Sequence, residues 1–314
     1  MIRLELVLEL KYEVLGQDGA DFIFNVHAAK TAHQVVRSER LTMSQPVAPQ
    51  IATDRATGAR FMRMHAEKGP LSLQYEATLD LVHHRADPRT LKEVDMTNLP
   101  LDVMQFVYPS RYCQSDRLFN FAFREFGALR KGYERVFGIQ QWVQDHVRFE
   151  SNTSDSSTSA LDTLISGVGV CRDFTHLFIA LCRALNIPAR VATGTDYGAD
   201  PALGPPDLHA YAEVYLSDRW YLFDPSGTSV PMGFMRFGAG RDAADVAFAT
   251  MFGRVQVGPP RIAIRALEGP GLELPIRCEE ALSTAALEQM GTDRGAFDGP
   301  PEREAVLRSV LLAH

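Results

Sequence analysis

Three side chains far apart in the chain carry the chemistry: Cys171, His209 and Asp224. Cys171 follows the glycine-punctuated run Gly167-Val-Gly-Val170. It opens a stretch that reads as a mostly buried helix, brought to an end near Asn186 by Pro188. The unpaired N–H groups and the dipole of a helix start favour an anion, which biases a thiol there toward the nucleophilic thiolate. His209 and Asp224 fall on two predicted strands, Leu208 to Leu216 and Arg219 to Asp224, joined by Ser217-Asp218 as a two-residue hairpin turn. Such a turn pairs Leu216 with Arg219 and, counting back, Tyr211 with Asp224. His209 then lies diagonal to Asp224 on one face, with backbones about 7–8 Å apart, within reach of an imidazole and a carboxylate. A slip of one residue would put the two on opposite faces. A thiol, an imidazole to take its proton and a carboxylate to orient that imidazole are the parts of a thiol nucleophile system. Singly, each has a plain structural reading: Cys171 as a small buried apolar residue, His209 as a bonded core histidine, Asp224 as a strand-end turn residue before Pro225. Jointly, those readings lose ground.

The elements that must position these residues follow from apolar periodicity. Residues 1 to 85 alternate (Leu4, Leu6, Leu8, Leu10, Tyr12; Phe22, Phe24, Val26; Leu71 to Leu81), with turn signals between the runs, which predicts an antiparallel β-sandwich. His83 and His84 are neighbours in that pattern and point to opposite faces, so they cannot share a metal. Residues 86–118, with three X-Pro steps, read as a linker wrapping onto the next domain. Val136, Ile139, Val143 and Val147 mark a helix face, and residues 151–159 form a polar loop before a helix start at Ser159 with Asp162. On the cysteine helix, Arg172, His176 and Arg183 share a stripe that predicts a thin solvent edge. Ala189 to Thr193 reads as a strand, residues 241–252 as a helix with Arg241 and Asp242 at its start, and residues 254–265 as a strand pair. The resulting division is 1–85 sandwich, 86–118 linker, 119–265 catalytic core and 266–314 extension, with helices over 276–290 and 302–312 or partial disorder.

Composition narrows the function. A net charge of −7 argues against a nucleic-acid surface, and 46% hydrophobic residues suffice for a full core. No apolar run is long enough to span a membrane, and the amino terminus lacks a signal-peptide pattern, which gives the expectation of a cytoplasmic protein. The cysteines at 113, 171, 182 and 278 are widely spaced, so neither a zinc site nor a disulfide framework is indicated. No metal or other cofactor is called for.

Four blocks, Gly-Val-Cys171-Arg-Asp173, Ala184-Leu-Asn-Ile-Pro-Ala-Arg190, His209-Ala-Tyr-Ala-Glu-Val-Tyr215 and Trp220-Tyr-Leu-Phe-Asp-Pro225, resemble the core of the transglutaminase-like superfamily in order and spacing. The first domain resembles the bacterial transglutaminase-like N-terminal region, with Tyr108 to Asp116 as a further block. The resemblance covers roughly residues 1 to 260. It implies an α+β protein: a sandwich followed by a papain-like, transglutaminase-like cysteine-peptidase core, with the nucleophile helix packed on an antiparallel sheet. It assigns Cys171 as nucleophile, His209 as base and Asp224 as orienting acid. Where the family often has Trp, this chain has Tyr211, a change that could alter how the cleft binds an acyl side chain.

The chemistry so implied is acyl transfer through a thioester: Cys171 attacks a peptide bond or a glutamine side chain, and water or an amine resolves the acyl-enzyme. The partner is then a protein or peptide substrate. The Cys171 backbone N–H is the natural first oxyanion donor. Trp142 and Asn152 are further cleft candidates, and Asp173 suits a capping role at the helix start. Two other readings stand beside this one: a coenzyme A-dependent arylamine acyltransferase, which lacks a phosphate-cradling feature here, and a non-catalytic binding module on the same fold.

Overall fold

The computed structural model describes residues 1–198 and 207–285. Its strands and helices run β1 (Ile2–Val14), β2 (Ala20–Phe24), β3 (Gln34–Met43), β4 (Gln50–Thr53), β5 (Arg60–Ala66), β6 (Gly69–Leu81), β7 (His84–Ala86), α1 (Phe119–Phe126), α2 (Tyr133–His146), β8 (Arg148–Phe149), α3 (Ala160–Ser166), β9 (Val168–Gly169), α4 (Cys171–Ala184), β10 (Ala189–Asp196), β11 (His209–Leu216), β12 (Arg219–Phe223), β13 (Phe234–Gly240), β14 (Ala249–Phe252), β15 (Val255–Val257), β16 (Arg261–Leu267) and β17 (Ala281–Ser283).

Strict alternation along β1 buries every second residue, and β1 pairs with β6 from Ile2↔Leu81 to Val14↔Gly69. One sheet runs β15-β1-β6-β3 with β16 also on β1, and a second runs β14-β2-β5-β4. Their inner faces meet where the Tyr12 ring lies 5.4 Å from Phe22 and 5.6 Å from Phe24. Two expectations are corrected here. Residues 241–252 are not a helix: they run irregularly to Ala249, and Ala249–Phe252 then pairs with β2. The segments over 254–265 are strands, but each pairs with β1 rather than with the other. Strands placed in the catalytic core by sequence order thus complete the sandwich. The edges of β1 and β2 offer unpaired backbone groups, and a returning chain satisfies them.

The second unit is an antiparallel sheet, β12-β11-β10-β13, with α4 packed on one face. Phe174, Leu177, Phe178 and Leu181 of α4 share a core with Ala210, Ala212, Val214 and Phe223. The Thr175 hydroxyl donates to the Ala210 carbonyl at 2.9 Å, tying helix to strand. The hairpin has the expected register, Leu216↔Arg219 through Ala212↔Phe223. Ser217 and Asp218 both have positive φ, 45° and 63°, the mirror-image turn whose twist matches a two-residue hairpin.

The predicted solvent edge of α4 is absent: His176 and Arg183 are buried, and only Arg172 reaches the surface. The Arg183 guanidinium donates to the carbonyls of Ala189, Tyr108 and Arg241 and to the Ser110 hydroxyl. Segment 86–118 accounts for part of this cover, and earlier in its course it seats Leu99, Val103, Phe106 and Val107 on Tyr215 and Trp220. Past residue 266, the expected helix from 276 is instead the short strand β17, paired with β7. The remainder of that prediction, and the one over 302–312, fall outside the described residues.

Candidate active site

The first turn of α4 is built around Asp173. Its carboxylate accepts the Val170 N–H at 2.9 Å, the capping role read from sequence, and it also takes the Arg172 guanidinium at 3.0 Å. This fixes Cys171 at the first helical residue, half-exposed in a cleft of about 890 Å³. Cys113 and Cys182 are fully buried, and Cys278 lies elsewhere on the surface.

Along β11, Ala210, Ala212 and Val214 face α4, whereas Tyr211 packs with Ala192, Leu222 and Phe234 on the other side. His209 shares that second face: its ring meets Tyr211 edge-on at 4.8 Å. Its Nε2 lies 3.5 Å from Asp224 Oδ1 and 3.3 Å from the Ser229 hydroxyl. With Nε2 so occupied, Nδ1 is the ring nitrogen left to serve Cys171, which lines the same cleft. Burial alone would lower the His209 pKa. The neighbouring Cys171 and Asp224 outweigh it, and the imidazole is held well above its ordinary value, which favours imidazolium. Asp224 shows the converse. Burial disfavours its charge, but hydrogen bonding to His209, with the imidazolium charge, Ser226 and Ser229, keeps the carboxyl below the usual range.

Asp224 is held firmly. Oδ1 accepts from the Ser226 hydroxyl at 2.6 Å and its N–H at 3.1 Å, Oδ2 accepts the Ser229 N–H at 2.8 Å, and the main-chain carbonyl takes Gln144 Nε2. The tight loop needs Gly227, whose φ is 70° and whose Cβ would meet Gln144 Nε2 at 3.0 Å.

The cleft candidates divide. Asn152 does line the cleft, together with Ser151, Ser154 and Ser156. Trp142 does not: it sits among Phe121, Phe126 and His146, stacked on the last at 3.9 Å. Its apolar area is better spent closing the α1–α2 seam. Tyr211 is also displaced from the expected role. It is fully buried between His209 and Phe234, a support for the imidazole rather than a wall for an acyl group. Sequence reasoning missed several cleft residues. Tyr112 stacks on His176 and donates to the Ser156 carbonyl at 2.7 Å, and Arg172 donates to the Asp155 carbonyl at 2.7 Å, so both pin the polar loop as a rim. Phe248 and Pro259 reach the cleft from the segment that joins the sandwich, and Asp196 and Ser229 lie beside His209. Tyr112 and Arg172 had a signal, their places in the Tyr108 to Asp116 and Gly-Val-Cys171-Arg-Asp173 blocks. Among the described residues no group of three His, Cys, Asp or Glu side chains is placed to hold a metal ion, and no helix is long and apolar enough to cross a membrane.

Known proteins resemble this chain in sequence and fold. The profile of the transglutaminase-like superfamily core matches residues 121–225, and that of the bacterial transglutaminase N-terminal domain matches residues 2–102. A crystal structure of a candidate cysteine protease from Cytophaga hutchinsonii superposes with a TM-score of 0.82 at 36% identity, covering 90% of this chain and 97% of that one. An uncharacterised protein of Mycobacterium leprae is 27% identical over 117 residues, 36% of this chain and 42% of its own length. One from Mycobacterium tuberculosis H37Rv is 32% identical over 109 residues, 31% of this chain and 35% of its own. The match therefore spans less than half the length of these curated relatives. The two profiles and the full-length structural match lead to one conclusion: this chain belongs to the transglutaminase-like superfamily and carries the bacterial transglutaminase N-terminal domain.

Proposed function

We propose that this protein performs cysteine-dependent acyl transfer on protein or peptide amides, with Cys171 as nucleophile, His209 as acid and base, and Asp224 as the group that orients the imidazole. The observation that carries this reading is the joint placement of the three side chains: a thiol at a helix tip lines one cleft with an imidazole whose Nε2 lies 3.5 Å from a buried carboxylate. The imidazolium stabilises the thiolate as its counter-ion. Thiolate attack on an amide carbonyl forms the C–S bond and places charge on the carbonyl oxygen. The Cys171 N–H is free of any backbone acceptor among the described residues and can donate to that oxygen. His209 Nδ1 then passes its proton to the departing amine, leaving a thioester. Water or a primary amine, deprotonated by the same nitrogen, attacks the thioester and restores the thiol. Hydrolysis of a peptide bond, deamidation of glutamine and transamidation share these steps and differ in the carbonyl presented and in the second nucleophile.

Wild type and Cys171→Ala incubated with a glutamine-containing peptide library, with and without a primary amine, test this. The expected products for wild type alone are cleaved peptides, a gain of about one mass unit, or an amine adduct, read by mass spectrometry. Equal product from Cys171→Ala, or none from either together with ordinary thiol reactivity of Cys171, overturns the proposal in favour of a binding module.

A further inference from the structure

His176 is an imidazole that the proposed reaction does not use, and it touches both walls of the cleft. It follows Cys171 along α4 and is 0% exposed. Its ring stacks flat on Tyr112, with centroids 5.0 Å apart and planes 2° from parallel. The Tyr112 hydroxyl donates to the Ser156 carbonyl at 2.7 Å, so one wall of the cleft, the polar loop, leans on this stack. The other wall is the chain from Ala243 to Phe248, and the Ala243 N–H donates to His176 Nε2 at 3.1 Å. Asp242 braces the same junction: its carboxylate accepts the N–H groups of Tyr112 and Ala244, both at 2.9 Å.

The Ala243 bond fixes the tautomer. Nε2 accepts, so it carries no proton, and the neutral ring keeps its proton on Nδ1, which has no hydrogen-bond partner. A second proton has only Nε2 to go to. There it would face the Ala243 N–H, two donors with no acceptor in a fully buried place. We infer that His176 is a positioning residue of the cleft: its neutral imidazole latches the wall from Ala243 to Phe248 to α4, and uptake of a proton on Nε2 releases that wall. Calling these segments the walls of an active site rests on the proposed function, whereas the latch itself does not. Burial holds the ring's pKa down to about 4, with Arg172 and Arg183 adding to this against Asp242 and Asp173. The charged and titratable groups that face the ring are thus Arg172, Asp173 and Arg183 from α4, Asp242 after β13, and Tyr112 before α1, itself covered by the Arg111 guanidinium at 4.9 Å. A ring that titrates near 4 when latched and at about 6.5 when released favours release as pH falls through that window. From pH 7 to pH 5 the released population should rise about twentyfold.

The test is hydrogen exchange of peptides spanning residues 241–248, read by mass spectrometry and corrected for the intrinsic exchange rate at each pH, in wild type, His176→Gln and His176→Phe. Peptides of β1 and β6 serve as the reference for global unfolding, and circular dichroism selects the variants that fold. Glutamine places an oxygen acceptor as many bonds from the backbone as Nε2 and does not titrate. Phenylalanine keeps a ring on Tyr112 and accepts nothing. Wild-type protection should fall about twentyfold from pH 7 to pH 5, His176→Gln should stay level, and His176→Phe should be poorly protected at both. Level protection in wild type overturns the inference. So does a fall as steep in His176→Gln, a fall shared equally by the β1 and β6 peptides, or wild-type protection at pH 7 in His176→Phe. Should neither variant fold, the wild-type profile against the reference peptides decides. Failure of Cys171 to turn over any amide would overturn the proposed function and leave these exchange profiles as they are, so the two failures are distinct.

Discussion

Strand β11 carries the candidate histidine at one end and Glu213 near its middle, and the charge at Glu213 sets how firmly the sheet is held. Glu213 is completely buried between two buried arginines. Its carboxylate takes Arg190 Nε at 2.8 Å and the Arg236 guanidinium in a two-pronged contact. Arg236 further reaches Thr284, and its backbone is held on both sides by the Gln34 side chain, so the cluster links β10, β11 and β13 to the sandwich and to the C-terminal segment. Glu213→Gln keeps the shape and removes the charge, so the two buried guanidiniums lose the carboxylate they share. Breaking a buried pair in this way costs about 3–5 kcal/mol. With an unfolding entropy of about 2.1 cal/mol/K per residue over 314 residues, that is a fall of about 5–8 °C in Tm. Burial opposes the Glu213 charge, but Arg236 and Arg190 hold the carboxyl below its usual range. A depressed carboxyl contributes stability that is present above its unfolded value and lost as pH falls through the folded one. The difference between wild type and Glu213→Gln should therefore be full at pH 7 and shrink as pH drops below about 4.5. Calorimetry of both proteins between pH 7 and pH 4 measures it. A Tm difference under about 1 °C at pH 7, or one that does not shrink in acid, would refute the reasoning.

Two other outcomes are expected. His27 is buried against Tyr75 at 4.8 Å, and burial with the Arg60 charge holds its pKa down to about 4. It is neutral when folded, so its contribution is present above about 6.5 and is lost as pH falls toward 4. His27→Gln should remove about 3 kcal/mol of the acid destabilisation seen in urea titrations at pH 7 and pH 4, and an unchanged pH dependence rejects the assignment. Arg172→Ala removes the 2.7 Å bond to the Asp155 carbonyl and should raise endoproteinase Asp-N cleavage before Asp155 about tenfold. Equal cleavage rates would show that the loop is held by Tyr112 and its own turns alone.

The parts of the site that were legible in the sequence are those set by local geometry. A two-residue turn fixes strand parity, which put His209 and Asp224 on one face. Asp173 three residues past Val170 reads as a helix cap because cap bonds span that distance. The sandwich was legible because period-two burial repeats over long strands. The helix expected over 241–252 failed for a related reason: short apolar runs fit either period, and the unpaired edge of β2, far back in the chain, decided the matter. The solvent stripe on α4 failed because periodicity gives a polar stripe but not what covers it. Arg183 is buried because backbone carbonyls from Tyr108, Ala189 and Arg241 converge on it.

The chain's linear order thus determined the long alternating strands such as β1 and β6, the helix that begins at Cys171, the parity of the hairpin and the three residue types of the candidate site. Only the tertiary structure decided that Tyr211 lies beneath the histidine, that Trp142 closes a helix seam and that residues 249–267 return to the sandwich. The division has a physical cause. Turn length, capping and alternation act within a few residues, whereas burial and the placement of a charge depend on which distant segments exclude water from a side chain.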